Sequence, residues 1–190
     1  MSILNDEPLL RSDGRKSIFP IRYPLIWNMY KKAQGCLWTA EEIKFSDDLS
    51  DWQSLDDDTK EVVKTILGFF SGADMIVNEN LAENMMSMID IPEVRCFYGF
   101  QIMIENVHGE VYSMMIDNLI KDKKEKEKLL NAINTMPGVT KLYKWAQKWV
   151  KRTPEDELME NPILQNYLEE GASDDLVEDM AKIWCFAKSL

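Results

Sequence analysis

The sequence predicts an all-α helical bundle, and three observations carry that prediction. Apolar residues recur at three- and four-residue intervals through most of the 190 residues, as one buried helix face requires. Helix-start signals stand ahead of these segments, either a first-turn proline or a polar cap with a carboxylate three residues on. No two alternating apolar and polar runs flank a tight turn, so no β-hairpin is expected.

The elements follow in order. "YPLIWNMYKKAQGCLW" opens near Pro24 and carries Leu25, Met29 and Cys36 near helical spacing. In "TAEEI", Thr39 stands three residues before Glu42, a capping-box pattern that predicts a short helical turn. Asp56, Asp57 and Asp58 offer an N-cap and dipole-compensating acids to a long helix over about residues 58–89. "IDIP" ends it, and Pro92 suits the first turn of the next helix, expected to reach about Ile120. "KDKKEKEKLL" predicts a charged, solvated helix entry, and "TMPG" a turn at Pro137 and Gly138. "VTKLYKWAQKWV" predicts a short amphipathic helix with Leu142, Trp145 and Trp149 on one side.

Residues 1–152 read as one helical region, with 153–190 an acidic C-terminal segment of different character in the same domain. That segment has prolines at 154 and 162 and weaker periodicity, so looser packing is expected of it. Its final helix carries Leu176, Met180, Trp184 and Ala187 on one face.

A net charge of -11 argues against nucleic acid as a partner, because a phosphate backbone needs a basic face, and against docking on anionic lipid. Cys36, Cys96 and Cys185 form no Cys-x-x-Cys and no paired framework, which predicts reduced, buried thiols. The leading "MSILNDEPLLRSDGRKSIFP" lacks the basic-then-apolar pattern of a signal peptide. No apolar run reaches the roughly 18 residues of a membrane span. A soluble, cytoplasmic protein is expected.

The chemistry concentrates in "ENVHGEVY", residues 105–112, which contains the single histidine of the sequence. Glu105, His108 and Tyr112 stand at i, i+3 and i+7, on one face of a helix. That face continues an apolar seam through Val94, Phe97, Gln101, Ile104, Met115 and Leu119. The preceding helix has its own seam of Val63, Ile66, Phe70, Val77 and Leu81, which contains Asp74. Two neighbouring helices thus each turn an acid inward, and an ionised carboxylate in an apolar seam is costly unless a cation or strong donors compensate it. Glu-x-x-His on one helix with a carboxylate from its neighbour is half of a di-iron or di-manganese carboxylate pattern. Oxygen donors with imidazole suit iron or manganese, and no cysteine is placed to join them. Each residue has an ordinary alternative: a hydrogen-bonded core histidine, a core tyrosine, an acid held by a nearby tyrosine or tryptophan.

Longer stretches carry a resemblance. "IFPIRYPLIWNMYKKA", "WTAEEI", "VNENL", "RCFYGFQIMIENVHGEVYS" and "NAINTMPGV" resemble the small, radical-generating subunit of class I ribonucleotide reductase, most closely its eukaryotic and large-DNA-virus branch. The likeness runs almost without interruption from about Glu7 to Trp149. It implies a ferritin-like helical bundle, here the first half of the small-subunit fold, and a di-iron or di-manganese cofactor. It also implies that Asp74, Glu105 and His108 are metal ligands and that Tyr112 is the tyrosine oxidised to a stable radical. Trp38 in "CLWTAEE" matches the tryptophan that passes an electron toward the metals; on composition alone it is a packed aromatic.

The family pattern continues into a second helix pair with one more glutamate and a second Glu-x-x-His, then a tail that docks on the large subunit. The sequence ends at Leu190, so an incomplete metal site and an absent docking tail are expected. Laid on the family's next helix, "DDLVEDMAKIWCF" puts Ile183 where the fourth ligand, a glutamate, would stand. Two functions are compatible with this pattern. One is an oxidoreductase component that makes deoxyribonucleotides through a tyrosyl radical, inactive alone and active as a homodimer or beside a full-length small subunit, with the large subunit as partner. The other is a truncated, non-catalytic paralogue or gene fragment that serves as a scaffold for a full-length small subunit.

Overall fold

The computed structural model of the protein describes residues 9, 10, 12 and 14–189, with side chains through Lys182. Expectations placed on Glu7, Ile183, Trp184, Cys185 and Ala187 lie outside these described side chains. The described residues are helical, without a strand.

Proline at the first turn is the commonest way this sequence begins a helix. It opens α1 (Pro24–Gly35), α4 (Pro92–Leu119), α7 (Pro137–Val150), α8 (Pro154–Glu160) and α9 (Pro162–Glu169). The missing N–H of proline costs nothing there, and its fixed φ suits the helix. The turn expected at Pro137 and Gly138 is therefore corrected: both residues lie inside the start of α7. Between α1 and α2 (Leu49–Ser54), two 3₁₀ turns cover Ala40–Glu42 and Phe45–Asp48. The first has the expected capping box, with the Thr39 N–H donating to Glu42 Oε1 at 3.0 Å. The long helix α3 (Asp57–Asn80) is capped by Asp56, whose Oδ1 accepts from the Thr59 N–H at 2.9 Å. It continues through a π-helical turn, Leu81–Met85, into a last α turn, Met86–Met88. Then come α5 (Lys123–Leu130), capped by Asp122, α6 (Ala132–Thr135) and α10 (Asp174–Ser189).

The chain divides into two compact units. The first comprises residues 1–32, 79–100 and 147–190. Its C-terminal part closes around Leu164, Val177 and Ala181, all fully buried, with Leu158, Leu168 and Met180 against them. The segment beyond residue 153, expected to pack more loosely, does close on a small buried core of its own. A capping box joins Thr153 and Asp156 at the start of α8, and the Asn161 side chain caps α9. After α9 the backbone reverses at Gly171, with φ of 87°, while the Ala172 N–H bonds Tyr167 O at 2.9 Å. That is a glycine-requiring helix stop.

The second unit comprises residues 33–78 and 101–146. Leu67, Ile116, Leu119, Ile120 and Leu129 form its larger core, and Ala40, Phe45 and Val111 a smaller one. Here the seam expected on α3 is corrected at Ile66, Phe70 and Val77, whereas Val63 does pack against the core and Leu81, in the π-helical turn beyond α3, is buried. The buried residues of α3 itself are Leu67 and Gly68, one position round the helix, while Ile66 is 48% exposed and Phe70 and Val77 are each 38% exposed. Two glycines set this register. A Cβ on Gly72 would stand 2.8 Å from Ile133 Cγ2, and one on Gly68 would stand 3.1 Å from Ala132 Cβ, so α3 lies against α6 on its glycine face. On α7, Val139 is buried while Leu142 and Trp145 are exposed, so the expected apolar side is largely open. The buried-thiol expectation also fails at Cys36, which is exposed, while Cys96 is half-buried.

Candidate metal centre

All the residues named for chemistry lie in the second unit. Asp74 projects from α3, and Glu105, His108 and Tyr112 from α4. Ligand atoms of Asp74, Glu105 and His108 all lie within 4.8 Å of one another. His108 Nδ1 is 2.8 Å from Glu105 Oε2, the i to i+3 contact that their spacing makes natural on a helix. Asp74 Oδ2 is buried and has no hydrogen-bond partner. Burial and the Glu105 charge together push the Asp74 carboxyl above its ordinary value, and His108 offsets part of this.

This donor set fits a metal ion. Two carboxylates and an imidazole converge, one carboxylate oxygen is orphaned, and no Lys or Arg supplies the compensating charge within the cluster. A buried acid without a partner is costly, and a cation is the group that satisfies both acids at once. Hard oxygen donors with one imidazole suit iron or manganese.

Tyr112 packs against the larger core with its ring stacked on Phe70, centroids 5.2 Å apart and planes 19° apart. Burial, then the charges of Asp74 and Glu105, push its phenol above the ordinary range. Trp38 stands just ahead of the Thr39–Glu42 capping box and packs beside Ala40, Phe45 and Val111. Its ring centroid is 5.7 Å from that of His108. Sequence reasoning missed Phe70 as the neighbour of Tyr112, and it missed Asn78 and Asn106. Asn78 is one turn after Asp74, and that spacing was the available signal. Its Nδ2 donates to Asn106 Oδ1 at 2.9 Å.

An all-helical chain that sets an aspartate against a Glu-x-x-His pair on the next long helix falls among the ferritin-like helical proteins. Residues 15–173 match the family "Ribonucleotide reductase, small chain", and the chain belongs to that family. It is 53% identical over 145 residues to the ribonucleoside-diphosphate reductase small chain of Monkeypox virus, covering 76% of this chain and 46% of the relative. It is 50% identical over 146 residues to the small chain of Trypanosoma brucei brucei, covering 76% and 43% respectively. The chain thus spans less than half the length of these curated relatives. Among solved structures it is similar to the Rnr4 homodimer of Saccharomyces cerevisiae ribonucleotide reductase, with a TM-score of 0.66 and 30% identity. That likeness covers 98% of this chain and 64% of the other.

Proposed function

We propose that Asp74, Glu105 and His108 hold an iron or manganese ion beside Tyr112, and that the chain serves the radical-generating side of ribonucleotide reduction. The convergence of the three donors, with Asp74 Oδ2 left unpartnered, supports this reading. Once oxidised by dioxygen, such an ion would supply the one-electron oxidising power toward a phenol that no acid–base side chain has, returning to its reduced state as the phenol gives up an electron and a proton.

The chain's own residues do the rest. Glu105 fixes the His108 ring through its contact with Nδ1. Burial, then the charges of Asp74 and Glu105, hold the Tyr112 phenol above its ordinary range, and Phe70 covers one face of its ring. Trp38, against His108, is the aromatic we assign to electron transfer toward the centre. The sequence holds one histidine, so a second imidazole comes from outside these 190 residues. We assign it to another small-subunit chain, a second copy or a longer one, with the reductase large subunit as the partner that uses the radical. We place this work in the cytoplasm; no described helix is long and apolar enough to cross a membrane.

The test is anaerobic loading with Fe²⁺ and with Mn²⁺, followed by measurement of protein-bound metal. Binding by the wild-type chain that Asp74→Asn, Glu105→Gln and His108→Ala each abolish is the expected result. A chain that binds neither ion is the non-catalytic scaffold instead, a reading that the single histidine favours.

A further inference from the structure

One face of α3 is apolar and open to solvent. Val62, Ile66, Phe70 and Val77 are all exposed, and their spacing of four and seven residues puts them on one stripe of the helix. Beside the C-terminal half of that stripe lies a groove of about 230 Å³, lined by Phe69, Ala73 and Val77 of α3 and by Val139, Leu142 and Trp145 of α7. Residues 65–73 of α3 include no charged side chain. Scattered exposed leucines are ordinary, but a continuous apolar face of this kind marks a contact surface.

The two ends of the face carry opposite charge. Asp58 stands one turn before Val62 on the same stripe, with Asp57 beside it, and both acids are exposed. At the groove end, Lys141 stands one turn before the exposed Trp145 on α7, with Lys144 close by, and both lysines are exposed. Among the described residues none of these four is held in an ion pair. A face that is acidic at one end, apolar in the middle and basic at the other complements itself when turned end for end, which is the operation of a two-fold axis.

We propose that this face pairs with the same face of a second copy of the chain, α3 antiparallel to α3 about a two-fold axis near Ile66. Asp58 lies two turns before Ile66 and Ala73 two turns after it, so the axis brings the acidic end of each copy over the groove and lysine flank of the other. The pairing covers Phe70, the outer neighbour of Tyr112, and it does not depend on a metal at Asp74, Glu105 and His108. A net charge of -11 on each copy opposes association, so the contact is weak, with a dissociation constant of about 10 µM. In dilute solution the exposed side chains of this face stand in water.

Sedimentation velocity of the full, metal-free chain over a concentration series tests the pairing. The wild-type chain is expected to pass from monomer to dimer around 10 µM. Ile66→Glu and Trp145→Glu, at exposed positions where helix content is retained, are each expected to weaken the dimer about 30-fold or more. Asp58→Lys alone and Lys141→Glu alone are each expected to weaken it about ten-fold, since the axis repeats every clash. Asp58→Lys also lowers the net negative charge, which through overall repulsion would strengthen the dimer, so weakening there is specific to the contact. Both reversals in one chain restore the wild-type constant to within about two-fold, because each reversed acid again meets a reversed base. A chain that stays monomeric up to about 500 µM leaves the face to a different protein and overturns the proposal. A dimer whose constant is unchanged in Ile66→Glu and Trp145→Glu forms through another surface, which overturns it as well. Single reversals that weaken the dimer and a double reversal that fails to restore it overturn the antiparallel arrangement.

Discussion

Each of the two units contains carboxylates taken out of water, and they treat them in opposite ways. In the first unit, Glu93 is fully buried, but nothing about it is unsatisfied. Its Oε2 accepts from Arg15 Nη2 at 2.6 Å, and its Oε1 accepts from the Arg22 N–H at 2.8 Å. Arg15 in turn donates to the carbonyls of Ile18 and Pro20, at 3.0 and 2.8 Å, which ties the segment before α1 to the start of α4. Glu157, also fully buried, is held by the Arg152 guanidinium and by Asn161 Nδ2 at 3.2 Å. In the second unit, Asp74 meets another acid and a histidine instead of an arginine, and one of its oxygens is left over. A buried acid with a guanidinium is a fastener. A half-buried acid facing another acid is a candidate site.

The largest effects should separate those two kinds of acid. Arg15→Ala leaves Glu93 buried without its cation and is expected to destabilise the chain by about 4 kcal/mol, with Arg152→Ala similar through Glu157. Asp74→Asn removes an uncompensated charge and should raise metal-free stability by about 1 kcal/mol. Urea unfolding of the metal-free chain measures both. A loss in Asp74→Asn as large as that in Arg15→Ala would make Asp74 a fastener too.

Next in size is the difference between closed and open apolar surface. Leu164 is fully buried, and Leu164→Ala is expected to cost about 3 kcal/mol. Leu142 is 53% exposed and Trp145 65% exposed, on a groove of the second unit lined by Phe69, Val77 and Val139. Leu142→Ala and Trp145→Gln should each change stability by less than about 0.5 kcal/mol. The same unfolding series compares them.

The first unit should also respond to acid in a way that reports Glu93. Burial pushes the Glu93 carboxyl up, but the Arg15 guanidinium and the Arg22 and Tyr23 amides more than offset it and hold it below the ordinary 4.5. An acid with a lowered value in the folded state contributes stability that is fully present above 4.5 and is lost as pH falls through the lower folded value. Stability measured from neutral pH down through this window should therefore fall in the wild type and fall less steeply in Glu93→Gln. Equal slopes would show that Glu93 is not the group being protonated.

The local rules of helix formation made most of the fold legible. Pro24, Pro92, the Thr39–Glu42 box and the Asp56 cap act within a few residues, and each is where the sequence puts it. The spacing of Glu105, His108 and Tyr112 needed only one helix, so it too was readable. The errors came where a neighbouring element decides the outcome. The inward face of α3 depends on Gly68 and Gly72 meeting Ala132 and Ile133, a contact that apolar periodicity cannot register because glycine has no side chain to count. Pro137 signals a turn and a helix start equally well, and the helix start goes with the burial of Val139 in the first turn of α7. The close of α8, α9 and α10 on Leu164 was hidden by acidic composition, since Glu157 reads as a surface residue until Arg152 is set beside it. Asn78 stands one turn after Asp74, a spacing that places it near the site but cannot show that its Oδ1 is left without a partner.

The smallest effect concerns how Tyr112 is held. Phe70 stacks on its ring while being 38% exposed, so the tyrosine is shielded by a residue that is itself only partly covered. If the stack is a real constraint, the two rings share an energy that neither has with the solvent. Offset aromatic pairs contribute about 0.5–1.5 kcal/mol beyond area burial, and the exposure of Phe70 puts this pair at the lower end. A double-mutant cycle with Phe70→Leu and Tyr112→Leu isolates the term, because leucine keeps apolar volume at both positions while removing the stacking face. The expected coupling is about 0.5 kcal/mol, small beside the cost of either single change. A coupling indistinguishable from zero would mean that Tyr112 is positioned by the core formed by Leu67, Ile116 and Leu119 alone, and that Phe70 is free to turn toward whatever covers that face of α3.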